Sequence, residues 1–330
     1  MREISVLVWN EMEKIYRKRR FLVIFLILLI LVPLFVYAQY KQNETVLERM
    51  GTKDWHLILQ QQIIDNQNRL NSSRLPDEWR SWLVIRNEQL QYYLDHDINP
   101  NVQGGPAFVR SFMENGITLF IPLLVMIVSI DLVSGERSEG TMKLLLTRPI
   151  RRWKVLLSKY IAMLLSLSLV VLMVAVLSYF ISGFIFGYSG WNTPLLTGFI
   201  VEKESLNTTS VHLIPQWKYI LMAYGLGWFV SWAVATISFM VSVLLRNTAA
   251  AMGIMIASLI AGNLLTNYAA SWKEARYIFS VNLDLTSYLS GLMPPIEGMT
   301  PAFSMITLTV WAVVSLFISF AVFTRQDMFH

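Results

Sequence analysis

Between Asp131 and Lys159 the chain reads DLVSGERSEGTMKLLLTRPIRRWKVLLSK, a compact charged stretch set between two long apolar runs. Gly135 and Gly140 bracket Glu136, Arg137 and Glu139, and Thr141 through Thr147 can form a short helix with Met142, Leu145 and Leu146 on its apolar face. Pro149 stops that helix, because its ring and missing N–H disrupt a helix interior, and Arg148, Arg151 and Arg152 surround it. The chemistry of such a set is docking: polar groups hold a partner, leucines fill an apolar cleft, and a rigid turn passes force into the attached helices. Basic residues alone would read as an ordinary loop on the inner face of a membrane. The order acidic, glycine, apolar, proline, basic favours the docking element.

The elements that must hold this stretch are apolar helices. The chain has 330 residues, 55% hydrophobic and 15% charged, a balance that favours a polytopic membrane protein over a soluble domain with its polar surface. A bilayer core of about 30 Å asks for roughly 20 apolar residues in a helix, and about six segments qualify. They are 21–40, 116–133, 160–186, 219–245, 248–270 and 302–323. The expected fold is thus an all-α polytopic membrane protein of about six transmembrane helices. The Lys/Arg clusters before the first span, in the 134–159 loop and at Arg246 and Arg325 place these segments and both termini, including the 324–330 tail, on the cytoplasmic side. Lys273 and Arg276 are the discordant pair, since this orientation puts them outside.

Residues 1–20 place Ile4, Val8, Met12, Ile15 and Tyr16 near one helical face opposite basic residues, as in a helix lying at the inner interface. The first span is longer than a signal-peptide core of about 7–15 residues and reads as a retained anchor. Residues 41–115 form a helical external insertion with stripes at Trp55, Leu59 and Ile63 and at Trp79 and Leu83. Two further external loops cover 187–218 and 271–301, the second with room for short re-entrant or interfacial helices. Ala249, Gly253, Ala257 and Ala261 recur at i+4 in the fifth span, spacing that lets helix backbones approach within one subunit or across a dimer.

Several function classes lose support. Without cysteine there is no disulfide, thiolate zinc site or Cys nucleophile. His56, His96, His212 and His330 all lie outside the apolar runs, so neither a metal centre nor an intramembrane hydrolase is expected. Charges inside the spans are scarce, against an ion-driven transporter. The net charge of +5 follows from the membrane-flanking clusters and calls for no nucleic acid. No G-x-x-x-x-G-K-[ST] loop occurs, and no catalytic, cofactor or metal site is expected on this chain.

The order Glu136, Glu139-Gly140-Thr141, Leu144-Leu145-Leu146, Pro149, Arg151 or Arg152, then Lys159 resembles the permease subunits of bacterial type-2 ABC exporters, as do Asn10-Glu11 and Lys14 near the N-terminus. The resemblance implies a permease paired with a second copy or paralogue and docked to separate ABC ATPase subunits, which would bind ATP and Mg. It also implies that Glu136, Arg137, Glu139, Gly140, Thr141, Leu145, Leu146, Pro149, Arg151 and Arg152 form the ATPase-contacting coupling loop. The cargo is open among drugs, peptide antibiotics, lipids and ions. The rival reading is a membrane sensor or scaffold that uses 41–115 as its receptor.

Overall fold

The computed structural model describes residues 2–72, 75, 77–141, 150–202, 205–268 and 272–325. The chain is a mostly helical, multi-pass membrane protein. Helix α1 spans Arg2–Arg17 and α2 Arg20–Met50, joined by a tight turn in which Arg19 takes a left-handed φ of 54°. A helical hairpin follows, α3 (Trp55–Leu70) and α4 (Asp77–Asp95). Next come α5 (Gly105–Gly116), α6 (Phe120–Ser129) and α7 (Asp131–Ser138). The long helices α8 (Arg152–Phe186), α9 (Gln216–Leu244) and α10 (Thr248–Tyr268) follow. The chain ends with the one-turn α11 (Ser287–Ser290) and with α12 (Pro301–Arg325).

Five of these helices, α2, α8, α9, α10 and α12, are long and apolar enough to cross a bilayer, and the pair α5–α6 makes a sixth if it counts as one bent span. That pair departs from the single helix expected over 116–133: its two halves meet at 71°. Pro122 fits this break. In a continuous helix its ring would clash with the Thr118 carbonyl and leave it without a donor; in the first turn of α6 the missing N–H costs nothing. By contrast α2 runs unbroken through Pro33 and ten residues past its expected end at Tyr40, until Gly51 closes it at a φ of 63°. Helix α8 begins at Arg152, inside the stretch expected to be loop.

The helix α9 is the hub. Of its most apolar stretch 72% is buried, against 22% for α2 and for α10, so α9 is the centre of the bundle and the other two form its rim. On α2, Leu22, Leu26, Leu29, Ile30 and Leu34 stand bare, an apolar face suited to lipid tails rather than water. At the far end from α1, Gly105 packs directly on α8: its N–H donates to Gly187 O at 2.8 Å, and a Cβ there would lie 3.2 Å from Gly183 Cα.

The all-α expectation misses two small antiparallel ribbons in the 187–218 region. Strand β1 (Pro194–Thr197) pairs β4 (His212–Pro215) with Pro194 opposite Pro215, and β2 (Ile200–Glu202) pairs β3 (Ser205–Asn207). Gly198, at a φ of 91°, turns the chain between the two ribbons. The 271–301 region forms two 3-10 turns, Lys273–Tyr277 and Phe279–Asn282, and then α11. The discordant Arg276 lies over the rings of Tyr277 and Phe303, at 5.0 and 5.7 Å, so this charge has an aromatic partner at that end.

Candidate functional site

The short helix α7 is clamped between two parts of the bundle at the end bearing α1. On one side is a buried ring of ions. Helix α1 turns Val8, Glu11, Met12 and Ile15 inward at 3–4 residue spacing, which places one carboxylate in an otherwise apolar stripe. Tyr16, expected on that face, is exposed. Lys159 of α8 has a side chain with 0% exposure, and its Nζ lies 2.8 Å from both Glu11 Oε2 and Glu136 Oε1. Lys14 Nζ closes the ring at 2.7 Å from Glu11 Oε1 and from Glu136 Oε1. Glu136 Oε2 is buried with no partner among the described residues.

A more exposed second group adjoins it. Lys18 reaches Asp131 at 3.2 Å and Glu139 at 2.8 Å, while Arg20 pairs with Asp131 and donates to Ile127 O at 3.1 Å. Together the two groups contain the acids Glu11, Asp131, Glu136 and Glu139 and the cations Lys14, Lys18, Arg20 and Lys159, a balanced set spread over α1, α2, α7 and α8. Burial pushes the Glu136 carboxyl up, but the Lys159 charge and the two lysine hydrogen bonds outweigh it and hold it below the usual range. Burial likewise pulls Lys14 down, and its contacts with Glu11 and Glu136 reverse this and raise it.

On its other side α7 grips the α9–α10 hairpin. The Ser242 hydroxyl of α9 enters the ladder where α6 gives way to α7: it donates to Ile130 O and accepts from Ser134 N at 2.9 Å and from Val133 N at 3.2 Å. A side chain inserted between a helical carbonyl and the N–H four residues on is a recognised cause of kinks. The Ser134 hydroxyl, 2.7 Å from Ile130 O, also lies 3.1 Å from Thr248 Oγ1 at the start of α10. Arg137 donates to Val243 O at 2.6 Å, capping one of the unpaired carbonyls at the end of α9.

Thus the expected loop residues separate. Glu136 and Arg137 bind within the fold, Glu139 is half-exposed on Lys18, and Gly140 ends α7 at a left-handed φ of 71°. Thr141 is exposed with its hydroxyl 3.3 Å from Glu136 O, and Arg151 stands exposed before α8. Arg152 opens α8. Apart from Thr141, the short helix expected over 141–147, with Leu145 and Leu146, and Pro149 after it lie in 142–149, outside the described residues. Arg151, Arg152 and Lys154 crowd a helix N-terminus whose macrodipole disfavours cations, and Lys154 is offset by Glu3 at 2.5 Å.

Ala249, Gly253, Ala257 and Ala261 all face outward from α10, and a Cβ at Gly253 would meet nothing within 4 Å. The opposite face of α10 holds the helix on the bundle through Ala251, Met255, Leu259 and Gly262. Glu114, near the other end of the second span, accepts from Tyr219 Oη at 2.6 Å. Trp232 and Trp311 donate to Tyr160 Oη at 3.0 Å and Tyr277 O at 2.9 Å, so these indoles serve packing. Sequence reading missed Ser242 and Thr248; a serine within an apolar span is a weak signal, and no spacing rule pairs it with a break more than a hundred residues earlier.

Two proteins of Bacillus subtilis (strain 168) are similar to this chain. One is YhcI, described as an uncharacterized protein, 31% identical over 244 residues that cover 72% of this chain and 74% of YhcI. The other is YdbK, described as an uncharacterized membrane protein, 25% identical over 214 residues that cover 64% of this chain and 79% of YdbK. The family model described as "Protein of unknown function (DUF2705)" matches residues 80–329, from within α4 to past the end of α12, and the chain belongs to that family.

Proposed function

We propose that this chain is the membrane permease subunit of an ATP-driven exporter of the type-2 ABC class, in the bacterial cell membrane. A separate ATPase subunit, with ATP and Mg on it, docks at the end bearing α1 and the basic clusters, which the positive-inside rule assigns to the cytoplasm together with both termini. The observation behind this reading is the double grip on α7. One short helix is tied by ions to α1 and α8 and by hydrogen bonds to the α9–α10 hairpin, directly before Glu139, Gly140 and Thr141. A push on that segment therefore reaches three long helices at once. A partner that holds two arrangements of α7 with different affinity shifts the spans between two states. The exposed Arg151 just before α8 suits an acidic docking surface. The outward stripe of small residues on α10 supplies a close-packing face for a second copy or a paralogue.

Co-purification of the full-length chain from its native host is the direct test. An ATPase should accompany it, and Leu145→Glu with Leu146→Glu should abolish nucleotide-dependent transport while membrane insertion persists. Recovery without any nucleotide-binding partner sinks the proposal, and favours instead a sensor or scaffold that uses the α3–α4 insertion as receptor.

A further inference from the structure

A cavity of about 500 Å3 opens at the end of the bundle opposite the ion ring, between α4, the end of α10 and the 279–297 segment. Its volume falls within the usual range for small-molecule sites, about 300–1,000 Å3. One wall is the pair Trp79 and Trp82 of α4, ring centroids 6.1 Å apart at 67°. Apolar lining comes from Met293 and Pro294 among others, and the charged residues among the described lining are Asp284 and Glu297. Local sequence fixes the first of these. The chain turns at Asp284, whose Oδ1 accepts from Thr286 Oγ1 and from Ser287 N, both at 3.2 Å, and whose carbonyl accepts from Ser287 Oγ at 2.7 Å. The hydrogen bonds described to this carboxylate all fall on Oδ1, which leaves the second oxygen for a guest. Arg276, a cation of the same segment, is engaged over Tyr277 and Phe303 and does not line the cavity.

We propose that this cavity is a binding site for an organic cation with an apolar body. Indole faces attract a positive charge and gain most when it is desolvated. Burial raises the Asp284 carboxyl above its ordinary range, so a neutral guest would favour its protonated form while a cation would stabilise the charged one, and an anion would meet two acidic side chains. A small inorganic ion has no use for an aromatic wall. The ammonium-like charge is either that of a free cation or that of a lipid headgroup. Binding is read on this chain alone, so the inference does not rest on coupling to an ATPase.

The test uses the purified full-length chain in uncharged maltoside micelles. Tetraphenylphosphonium is titrated against tryptophan fluorescence and by equilibrium dialysis, with the neutral triphenylphosphine oxide as control. The cation should bind saturably and at least about tenfold more tightly than the oxide, a difference of about 1.4 kcal/mol. Asp284→Asn, which keeps an acceptor for Ser287, should weaken it about tenfold, and Trp82→Leu should also weaken it. Glu297→Gln alters an exposed side chain, keeps the test valid if the Asp284 variant does not fold, and should weaken binding about threefold. Equal binding of cation and oxide, or affinity unchanged in both charge variants, overturns the proposal. Addition of phosphatidylethanolamine separates the sources: competition assigns a lipid ammonium, unchanged affinity a free cation, and either supports the shared chemistry.

Discussion

Replacing Lys159 by Met tests whether the ion ring is structural and buried. Its Nζ is the sole cation of the ring with no exposure, whereas the Lys14 side chain is 42% exposed. After Lys159→Met, Glu11 and Glu136 each retain one lysine contact, but two largely buried carboxylates then share one cation, and the fully buried one is gone. Breaking a buried pair by removing one partner costs about 3–5 kcal/mol. Lys14→Met leaves the buried cation in place and lets water reach the vacancy, so a surface value of about 0–1 kcal/mol applies. At roughly 2 °C per kcal/mol for a chain of this size, the midpoint should fall by about 6–10 °C for Lys159→Met and by less than about 2 °C for Lys14→Met.

Thermal unfolding in micelles, followed by circular dichroism, reads both variants. Adding Glu136→Gln to Lys159→Met should restore part of the loss, since it removes the uncompensated charge. The pH dependence has a fixed sign. Glu136 is depressed below its ordinary value of 4.5, so its stabilisation is fully present above 4.5 and is lost as pH falls through the lowered folded value. The gap between wild type and Lys159→Met should therefore close in acid. A Lys14→Met loss equal to or greater than that of Lys159→Met, or a gap that widens in acid, refutes the reasoning.

Ser242→Ala removes one donor and one acceptor from the α6–α7 junction and leaves Val133 N to find another partner; it should cost about 1–3 kcal/mol, measured by the same unfolding assay. Two glycines of α10 should behave oppositely. Gly262→Val drives a side chain into Ser280, 2.1 Å from the new Cβ, and should destabilise the protomer by about 1–3 kcal/mol. A Cβ at Gly253 meets nothing within 4 Å, so after Gly253→Val the unfolding midpoint should hold while the self-association proposed for this face, read by light scattering, should be lost.

What the sequence made legible follows from the range over which each rule acts. Long apolar runs announced their helices, because about 20 residues of one character outweigh any local signal. The bend at 117–119 is hidden because Pro122 stands within a hydrophobic run, where apolarity and the first-turn position of a proline look the same. The ribbons of 187–218 were hidden because three- and four-residue strands carry almost no period. At the site, Glu136, Glu139 and Gly140 were legible from local order. Their bonding was not, because Glu136 meets Lys14 across 122 positions and Arg137 meets Val243 across 106. The i+4 stripe on α10 fixed a face but not its direction. Ala251, Met255 and Leu259, larger on average and buried, decide which face turns inward.

The 35 residues of α8 form an unbroken rod about 52 Å long at 1.5 Å per residue. It bears Lys159 near one end and Gly183 at the other, where the Gly105 backbone lies against it. A rod of that length works as a lever. Tilting it by about 5° around its middle moves each tip by roughly 2 Å in opposite directions. The near tip is held by ion pairs, which tolerate a swing by rotating their side chains. The far tip is held by close glycine backbone contact and by the Ser182 hydroxyl on Gly105 O, which leave little slack, so a tilt there would carry α5 with it and load the elbow before α6.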